Sequence, residues 1–143
     1  MTRKILYIIN PIAGTGSFTT IKKRIEQATR RACIPFECIP SNAMGSYQEV
    51  DTRITNEQYT DVVIAGGDGT VNQVIGALRH LPIQFGIIPI GSGNGLARAA
   101  KIPTSPAAAL THIFEETGKE TDGFLVNQQF ACMLSGLGFD ATV

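Results

Sequence analysis

Three glycine-bearing segments hold the residues of this sequence that are best suited to chemistry on a phosphate. They are residues 10–16 (Asn-Pro-Ile-Ala-Gly-Thr-Gly), residues 66–70 (Gly-Gly-Asp-Gly-Thr) and residues 91–95 (Gly-Ser-Gly-Asn-Gly). Glycine leaves backbone N–H groups unshielded and permits positive φ, so a helix that follows can present its first donors to an anion. We therefore expect a phosphate-binding site.

Asp68 is the unusual residue in these segments, because a carboxylate between glycines at such a turn repels a phosphate. The repulsion is avoided if a cation lies between the two anions, or if the carboxylate takes a proton from an attacking hydroxyl. Phosphoryl transfer accounts for both possibilities. The P-loop pattern and a GxGxxG after a strand are absent, and residues 91–95 have a different spacing.

The segments between these loops alternate strand and helix. A continuous apolar run predicts a buried strand at residues 5–9, residues 61–65 are predicted as the next buried strand, and residues 36–39 and 85–90 are predicted as further strands. Helical periodicity predicts helices at residues 18–32, 47–58, 71–81, 96–100 and 103–116. This order predicts an α/β fold of three layers, a mainly parallel sheet with helices on both faces. Ligands of such sheets bind at the carboxyl ends of the strands, where all three glycine segments fall.

Composition narrows the class of protein. With 143 residues, 43% of them hydrophobic and 17% charged, the chain is long enough for one globular domain. Twelve basic and 12 acidic residues give zero net charge, which argues against nucleic acid as a partner. The apolar run Ile5–Ile9 is too short for a transmembrane segment. The odd cysteine count (Cys33, Cys38, Cys132) favours a reducing compartment, so we expect a cytoplasmic protein.

Two regions carry weaker signals. The first 31 residues hold a single acid, Glu26, among seven basic residues: Arg3, Lys4, Lys22, Lys23, Arg24, Arg30 and Arg31. A solvated helix face is the first interpretation and a patch for anionic lipid headgroups the second. Residues 124–126 and 130–134 read as strands of a hairpin that leaves the α/β unit. We expect residues 1–122 to form one domain, and residues 123–143 to begin a second that is cut short and self-associates through its unpartnered strands.

Four blocks of sequence resemble one known group of enzymes. Gly66–Thr70 matches the signature shared by NAD kinases and diacylglycerol-type lipid kinases. Asn10–Gly14 resembles the first nucleotide loop of the lipid-kinase branch, Pro89–Arg98 resembles its third block, and Gly136–Asp140 resembles the segment that opens its second domain. On these blocks the chain is identified as a member of the diacylglycerol kinase catalytic-domain family.

The resemblance implies an ATP-dependent lipid kinase that works with Mg²⁺ at the membrane surface, as a peripheral protein. Its acceptor would be a hydroxyl of diacylglycerol, a sphingoid base or a related lipid. Asp68 would be catalytic, the metal ligands are open, and the ATP contacts would be Asn10, Pro11, Gly14, Ser41, Gly66, Gly67, Asp68, Gly69, Thr70, Asn72 and Ser92. Family members are longer and carry a β-sandwich after this domain, so the chain corresponds to their nucleotide-binding half and is expected to be inactive alone.

Other interpretations remain open. Gly95 stands where the family commonly has a second acidic residue, which brings this block nearer to the sphingosine-kinase variant. An NAD kinase would share residues 66–70 but not Gly91–Arg98 as it stands here. A nucleotide-sensing or purely structural module would keep the loops without transfer. His80 and His112 are assigned to packing or surface roles, and Arg98 is left out of the site.

Overall fold

A computed structural model describes residues 2–12, 17–91, 93–115, 118, 123–126 and 128–131. The elements in order are β1 (Ile5–Ile9), α1 (Phe18–Arg31), β2 (Phe36–Pro40), α2 (Gln48–Glu57), β3 (Asp61–Gly66), α3 (Asp68–Leu78), β4 (Gln84–Pro89), α4 (Gly95–Ala99), α5 (Pro106–Glu115), β5 (Phe124–Val126) and β6 (Gln129–Ala131). Strands β1 to β4 form one parallel sheet in the order β2-β1-β3-β4. The predicted α/β class is confirmed.

The register of this sheet aligns the carboxyl ends of its strands. Ile9 at the end of β1 pairs with Pro40 of β2 and with Ala65 of β3, and Gly66 pairs with Pro89 of β4. The chain places β2 on one side of β1 and then β3 on the other, so the strand order reverses between β1 and β3. That reversal is where open α/β sheets bind ligands.

Two apolar clusters hold helices on both faces of the sheet. All five side chains of β1 are inaccessible to solvent, because successive residues point to opposite covered faces. One cluster joins Leu6 and Ile8 to α2, α3 and Ala97 of α4. The other joins Ile5, Tyr7 and Ile9 to α1 and α5. The result is the expected three-layer arrangement.

Local chemistry sets the helix ends and moves some of them from the predicted positions. Ser17 caps α1, where its hydroxyl accepts the N–H of Thr20 at 3.1 Å. The last helix begins at Pro106 rather than residue 103, and its first turn closes when Ala109 donates to the carbonyl of Ser105 at 2.9 Å. α3 ends at Leu78, so Leu81 lies in the turn beyond it and packs on the core from there.

The β5–β6 hairpin lies against α3. A β-carbon at Gly76 would stand 3.2 Å from Cδ1 of Phe130, so this glycine leaves room for the ring. The Arg79 guanidinium lies 4.6 Å from the centroid of the same ring. Asn72 donates from Nδ2 to the carbonyl of Phe130 at 3.1 Å. The two predicted strands are present as far as Ala131, but the hairpin packs on α3 instead of leaving the α/β unit. The residues after Ala131 lie outside the described part of the chain.

No helix in the described ranges is long and apolar enough to span a membrane.

Candidate functional site

The Gly-Gly-Asp-Gly-Thr segment is the junction between β3 and α3. Gly66 is the last residue of β3, Gly67 is the N-cap of α3 in extended conformation (φ −91°, ψ −175°), and Asp68 begins the helix. The first intrahelical bond runs from Val71 N–H to the Gly67 carbonyl at 3.0 Å. None of the side chains that the structure describes caps this helix, so among those residues the earlier amides of its first turn are open at the carboxyl edge of the sheet. That is the geometry of an anion site.

Gly69 and Gly66 serve this junction in different ways. A β-carbon at Gly69 would meet nothing within 4 Å, so the helix start is open to an approaching ligand there. A β-carbon at Gly66 would lie 3.0 Å from Cβ of Thr70, so this glycine permits the tight strand-to-helix turn. The sequence does not distinguish these two roles.

Asn10 ties the first glycine loop to the junction. Its backbone N–H donates to the Ala65 carbonyl at 2.8 Å, which extends the β1–β3 ladder by one residue. Its Nδ2 donates to the Thr70 hydroxyl at 2.8 Å, and its Oδ1 accepts the N–H of Ile12 at 3.0 Å. Asn10 therefore holds the loop after β1 against the first turn of α3.

The third glycine loop crosses the junction at backbone contact. A β-carbon at Gly91 would lie 2.5 Å from the Cα of Gly67, closer than any side chain allows. Asn94, in the left-handed region at φ 54°, clamps the same loop from within. Its Oδ1 accepts the N–H of Gly91 at 3.1 Å, and its Nδ2 donates to the Gly91 carbonyl at 2.7 Å.

The Asp68 carboxylate also bonds to this third loop. Oδ2 accepts the N–H of Gly95 at 2.9 Å, and Oδ1 accepts the N–H of Leu96 at 3.4 Å. These are the first amides of α4, so part of the charge is compensated by a helix start. A cation and a hydroxyl are the partners that the sequence predicts for Asp68, and the amides of α4 are a third partner that it does not predict.

Ser41 lies at the same sheet edge, one strand further out. Its N–H donates to the Ile9 carbonyl at 2.8 Å, which places it beside the end of β1. The loop that follows is braced by Tyr47, whose hydroxyl accepts the N–H of Asn42 at 3.0 Å. Burial raises the pKa of Tyr47, so this phenol stays neutral.

The structure thus brings most of the expected site residues to one edge. Asn10, Gly66, Gly67, Asp68, Gly69 and Thr70 form one bonded group, with Pro11 exposed beside it. Asn72, one turn into α3, directs its amide to the hairpin. Gly14, Ser92 and the block at residues 136–140 lie outside the described residues.

Two residues outside the predicted site, Asn94 and Arg98, hold its third loop. The sequence signal for Asn94 is its position between glycines, since Asn tolerates the left-handed region best after Gly. Arg98, left out of the site, donates from Nε to the Gly93 carbonyl at 3.0 Å. Both stabilise the loop that crosses Gly67.

Among the described residues of the site, Asp68 is the side chain best suited to a metal ion. Across the described ranges, no group of three or more His, Cys, Asp or Glu residues is placed to hold a metal ion. Asp68 is the carboxylate of the junction, and its oxygens keep lone pairs beyond the two amide contacts. Mg²⁺ is commonly held by one or two carboxylates together with substrate phosphates, so a single Asp fits an ion that arrives with a nucleotide.

Fold and site together define an α/β domain whose helix start and glycine loops gather where the strand order reverses. The family model for the diacylglycerol kinase catalytic domain matches residues 4–126. The chain belongs to this family.

Similar proteins agree with that assignment. An uncharacterised protein from Synechocystis sp. is 34% identical, over 94% of this chain and 33% of its own length. A diacylglycerol kinase from Staphylococcus carnosus is 26% identical, over 96% of this chain and 46% of its own. A crystal structure of a diacylglycerol kinase from Bacillus anthracis superimposes with a TM-score of 0.76 at 27% identity, over 90% of this chain and 47% of that one. The chain thus spans less than half the length of these proteins.

Proposed function

We propose that this chain is the ATP-binding part of a lipid kinase, which transfers the γ-phosphoryl group of ATP to a hydroxyl of diacylglycerol or a related lipid. The observation that carries the proposal is the uncapped start of α3 within the Gly-Gly-Asp-Gly-Thr junction, with Gly69 open to solvent and a carboxylate alongside. Family membership supports the same reaction. The relatives named diacylglycerol kinase suggest the acceptor.

In this proposal backbone amides bind the phosphates, and the Asp68 carboxylate interacts with a cation or a proton. The amides of the first turn of α3 donate to phosphate oxygens, and Asn10 keeps the loop after β1 beside them. Magnesium, when bound, neutralises charge on the phosphates. Asp68 would contact that ion or receive the proton of the attacking hydroxyl. The lipid oxygen bonds to the γ-phosphorus, the bond to the β-phosphate oxygen breaks, and ADP leaves.

Nucleotide binding is the first test. Titration calorimetry of the chain with ATP and Mg²⁺ should give heat of binding, and Asp68→Asn should change the magnesium dependence more than the affinity for ATP alone. Asp51→Asn is the matched control, because Asp51 pairs with His80 at 2.6 Å away from the glycine loops. A folded chain that gives no heat at millimolar ATP contradicts the proposal.

The identity of the acceptor should be tested with the full-length protein. Labelled ATP offered with diacylglycerol, a sphingoid base and NAD separates the lipid kinase from the NAD kinase interpretation. Nucleotide binding without transfer to any acceptor would favour the sensing module. The Gly-Ser-Gly-Asn-Gly loop, closed by Asn94, favours the lipid-kinase branch, and Gly95 keeps sphingoid bases among the candidates.

The proposal also covers the domain bounds, the cellular location and the self-association of the chain. We propose residues 1–122 as the ATP-binding domain, with residues 123–143 beginning a second domain, in a cytoplasmic protein that reaches its lipid at the membrane surface. Self-association through the C-terminal segment stays a prediction, and it competes with the packing of the β5–β6 hairpin on α3 that the single chain shows. Light scattering on this chain and on residues 1–119 compares the two, since equal monomeric masses contradict self-association.

A further inference from the structure

One face of α3 carries both Asp68 and the residues on which the β5–β6 hairpin packs. Positions 68, 72, 76 and 79 lie within about 80° of one another around the helix, because each residue turns the chain by about 100°. Asp68 stands at the glycine loops, and Asn72, Gly76 and Arg79 follow it towards the other end of the helix. The hairpin therefore occupies the continuation of the face that begins with Asp68.

Phe130 anchors the hairpin on this face. Its ring fits between two glycines, since a β-carbon at Gly76 would stand 3.2 Å from Cδ1 and one at Gly123 would stand 2.7 Å from Cζ. The Arg79 guanidinium lies 4.6 Å from the ring centroid, and Nη1 of Arg79 donates to the Gly76 carbonyl. A side chain at either glycine would displace the ring, so this fit sets where the hairpin lies along α3.

Asn72 makes the hairpin contact that lies nearest to Asp68 along the helix. Its Nδ2 donates to the Phe130 carbonyl at 3.1 Å, one helical turn from Asp68, which is about 6 Å along the axis. Phe130 pairs with Leu125 across the antiparallel hairpin, so a bond to Phe130 holds both strands. The sequence predicts that Asn72 contacts ATP, whereas the structure directs its amide to the hairpin.

The acceptor must arrive beside the Asp68 end of this face. In the proposed transfer its oxygen attacks the γ-phosphorus in line with the leaving oxygen and gives up its proton. The third glycine loop already holds the Asp68 carboxylate through the amides of Gly95 and Leu96. The hairpin follows the same helix face from one turn further on, so it forms a border of the space in which the acceptor hydroxyl must stand.

We propose that Asn72 is a positioning residue for the acceptor, because its bond to the Phe130 carbonyl fixes the β5–β6 hairpin beside Asp68. The inference deepens the proposed function and rests on it. The hairpin begins the second domain that we propose, so this bond sets the placement of that domain relative to the phosphate site. Loss of the bond should therefore reduce phosphoryl transfer and leave ATP binding in place.

Hydrogen exchange on this chain tests the bond itself. Asn72→Asp keeps the shape of the side chain and removes the donor, so the peptide at residues 123–131 should exchange about 5- to 10-fold faster. Gln73→Glu is the matched control, because it makes the same amide-to-acid change at the next residue of α3. Gln73 is exposed, and a β-carbon at Gly45 would stand 3.7 Å from its Nε2, so it lies near the loop after β2. This control should leave exchange of the hairpin peptide unchanged.

Turnover by the full-length protein tests the positioning. Asn72→Asp should lower kcat for the lipid about 10- to 100-fold and change KM for ATP less than about twofold, because a small misplacement of one reactant slows transfer without weakening the other's binding. Phe130→Ala keeps the carbonyl but loses the anchoring ring, so it should cause a similar loss of kcat. The two substitutions together should cost little more than either alone, since both release one hairpin. Gln73→Glu should keep the parent kcat.

Circular dichroism confirms that each variant is folded before rates are compared. Unchanged exchange of the hairpin in Asn72→Asp would overturn the role of the bond, and a loosened hairpin with the parent kcat would overturn the positioning. A raised KM for ATP at unchanged kcat would assign Asn72 to nucleotide binding and also overturn the inference. A parent protein that transfers no phosphate to any lipid removes the proposed function itself, whereas an active parent matched by Asn72→Asp removes the inference alone.

Discussion

Gly91 and Gly69 are both glycines of the candidate site, but the structure predicts opposite effects when each is replaced by alanine. At Gly91 the new methyl carbon would stand 2.5 Å from the Cα of Gly67 and 3.3 Å from Oδ1 of Asn94. The first neighbour is backbone, so the strand-to-helix junction or the third loop must move. At Gly69 the same methyl meets nothing within 4 Å and lies in the first turn of α3.

The magnitudes follow from these two surroundings. Overpacking against fixed neighbours costs about 1–3 kcal/mol, so Gly91→Ala should lower the free energy of unfolding by that amount. Alanine is better than glycine inside a helix by about 0.5–1 kcal/mol, so Gly69→Ala should raise it. ATP binding should weaken in Gly69→Ala, because the new methyl group blocks a backbone–phosphate hydrogen bond. The loss of one such bond weakens ATP binding about 10- to 100-fold.

Urea unfolding followed by circular dichroism measures the stabilities, and calorimetry with ATP and Mg²⁺ measures the affinities. Gly69→Ala should be the more stable protein with the weaker nucleotide binding. Equal destabilisation by the two alanines would refute the assignment of Gly91 to backbone packing. Unchanged ATP affinity in Gly69→Ala would refute the open helix start as the phosphate site.

Substitutions at three further residues test the loop contacts and the half-buried thiol of Cys38. Asp68→Asn keeps an acceptor for α4, so stability should fall by less than about 1 kcal/mol while phosphoryl transfer is lost, and Asp68→Ala should lower the melting temperature more. Asn94→Gly keeps the left-handed backbone and removes both bonds to Gly91, so urea unfolding should show a loss of about 1–2 kcal/mol. Burial raises the pKa of Cys38 from 9.0 to about 12, so the folded state keeps a proton that the unfolded state releases, and stability should fall as pH rises above 9. Cys38→Ala should reduce this dependence of stability on pH. Peptide mapping should find that the exposed Cys33 is alkylated faster than Cys38.

Elements and loop positions could be predicted from the sequence because they depend on local periodicity. The apolar run of β1 and the helical spacing of α1 each give a signal within one segment. The carboxyl edge followed from the repeated strand-helix order, which leaves few arrangements for a parallel sheet. Helix starts were less accurate, as at Pro106, because Ser105 and Pro106 decide the first turn and the apolar pattern does not.

Contacts between the loops could not be predicted, because they depend on which strands are neighbours. Gly67 and Gly91 meet because β3 and β4 are adjacent and their ends are aligned at Gly66 and Pro89. The same adjacency brings the start of α4 to Asp68. Local sequence around either loop contains no information about the other, so the role of each glycine needed the assembled sheet.

The adjacency of β3 and β4 also changes the role expected of Asp68. Its carboxylate was expected to find its partner in an arriving cation or hydroxyl, yet Gly95 and Leu96 already hold both oxygens by their amides. A carboxylate fixed in this way has little rotamer freedom left to lose when a magnesium nucleotide arrives, so its charge is preorganised. The third loop therefore acts on the proposed transfer by orienting Asp68, and substitutions at Asn94 or Gly91 should reduce turnover by more than they reduce affinity for ATP. Equal losses of turnover and affinity in those variants would assign the loop to nucleotide binding instead.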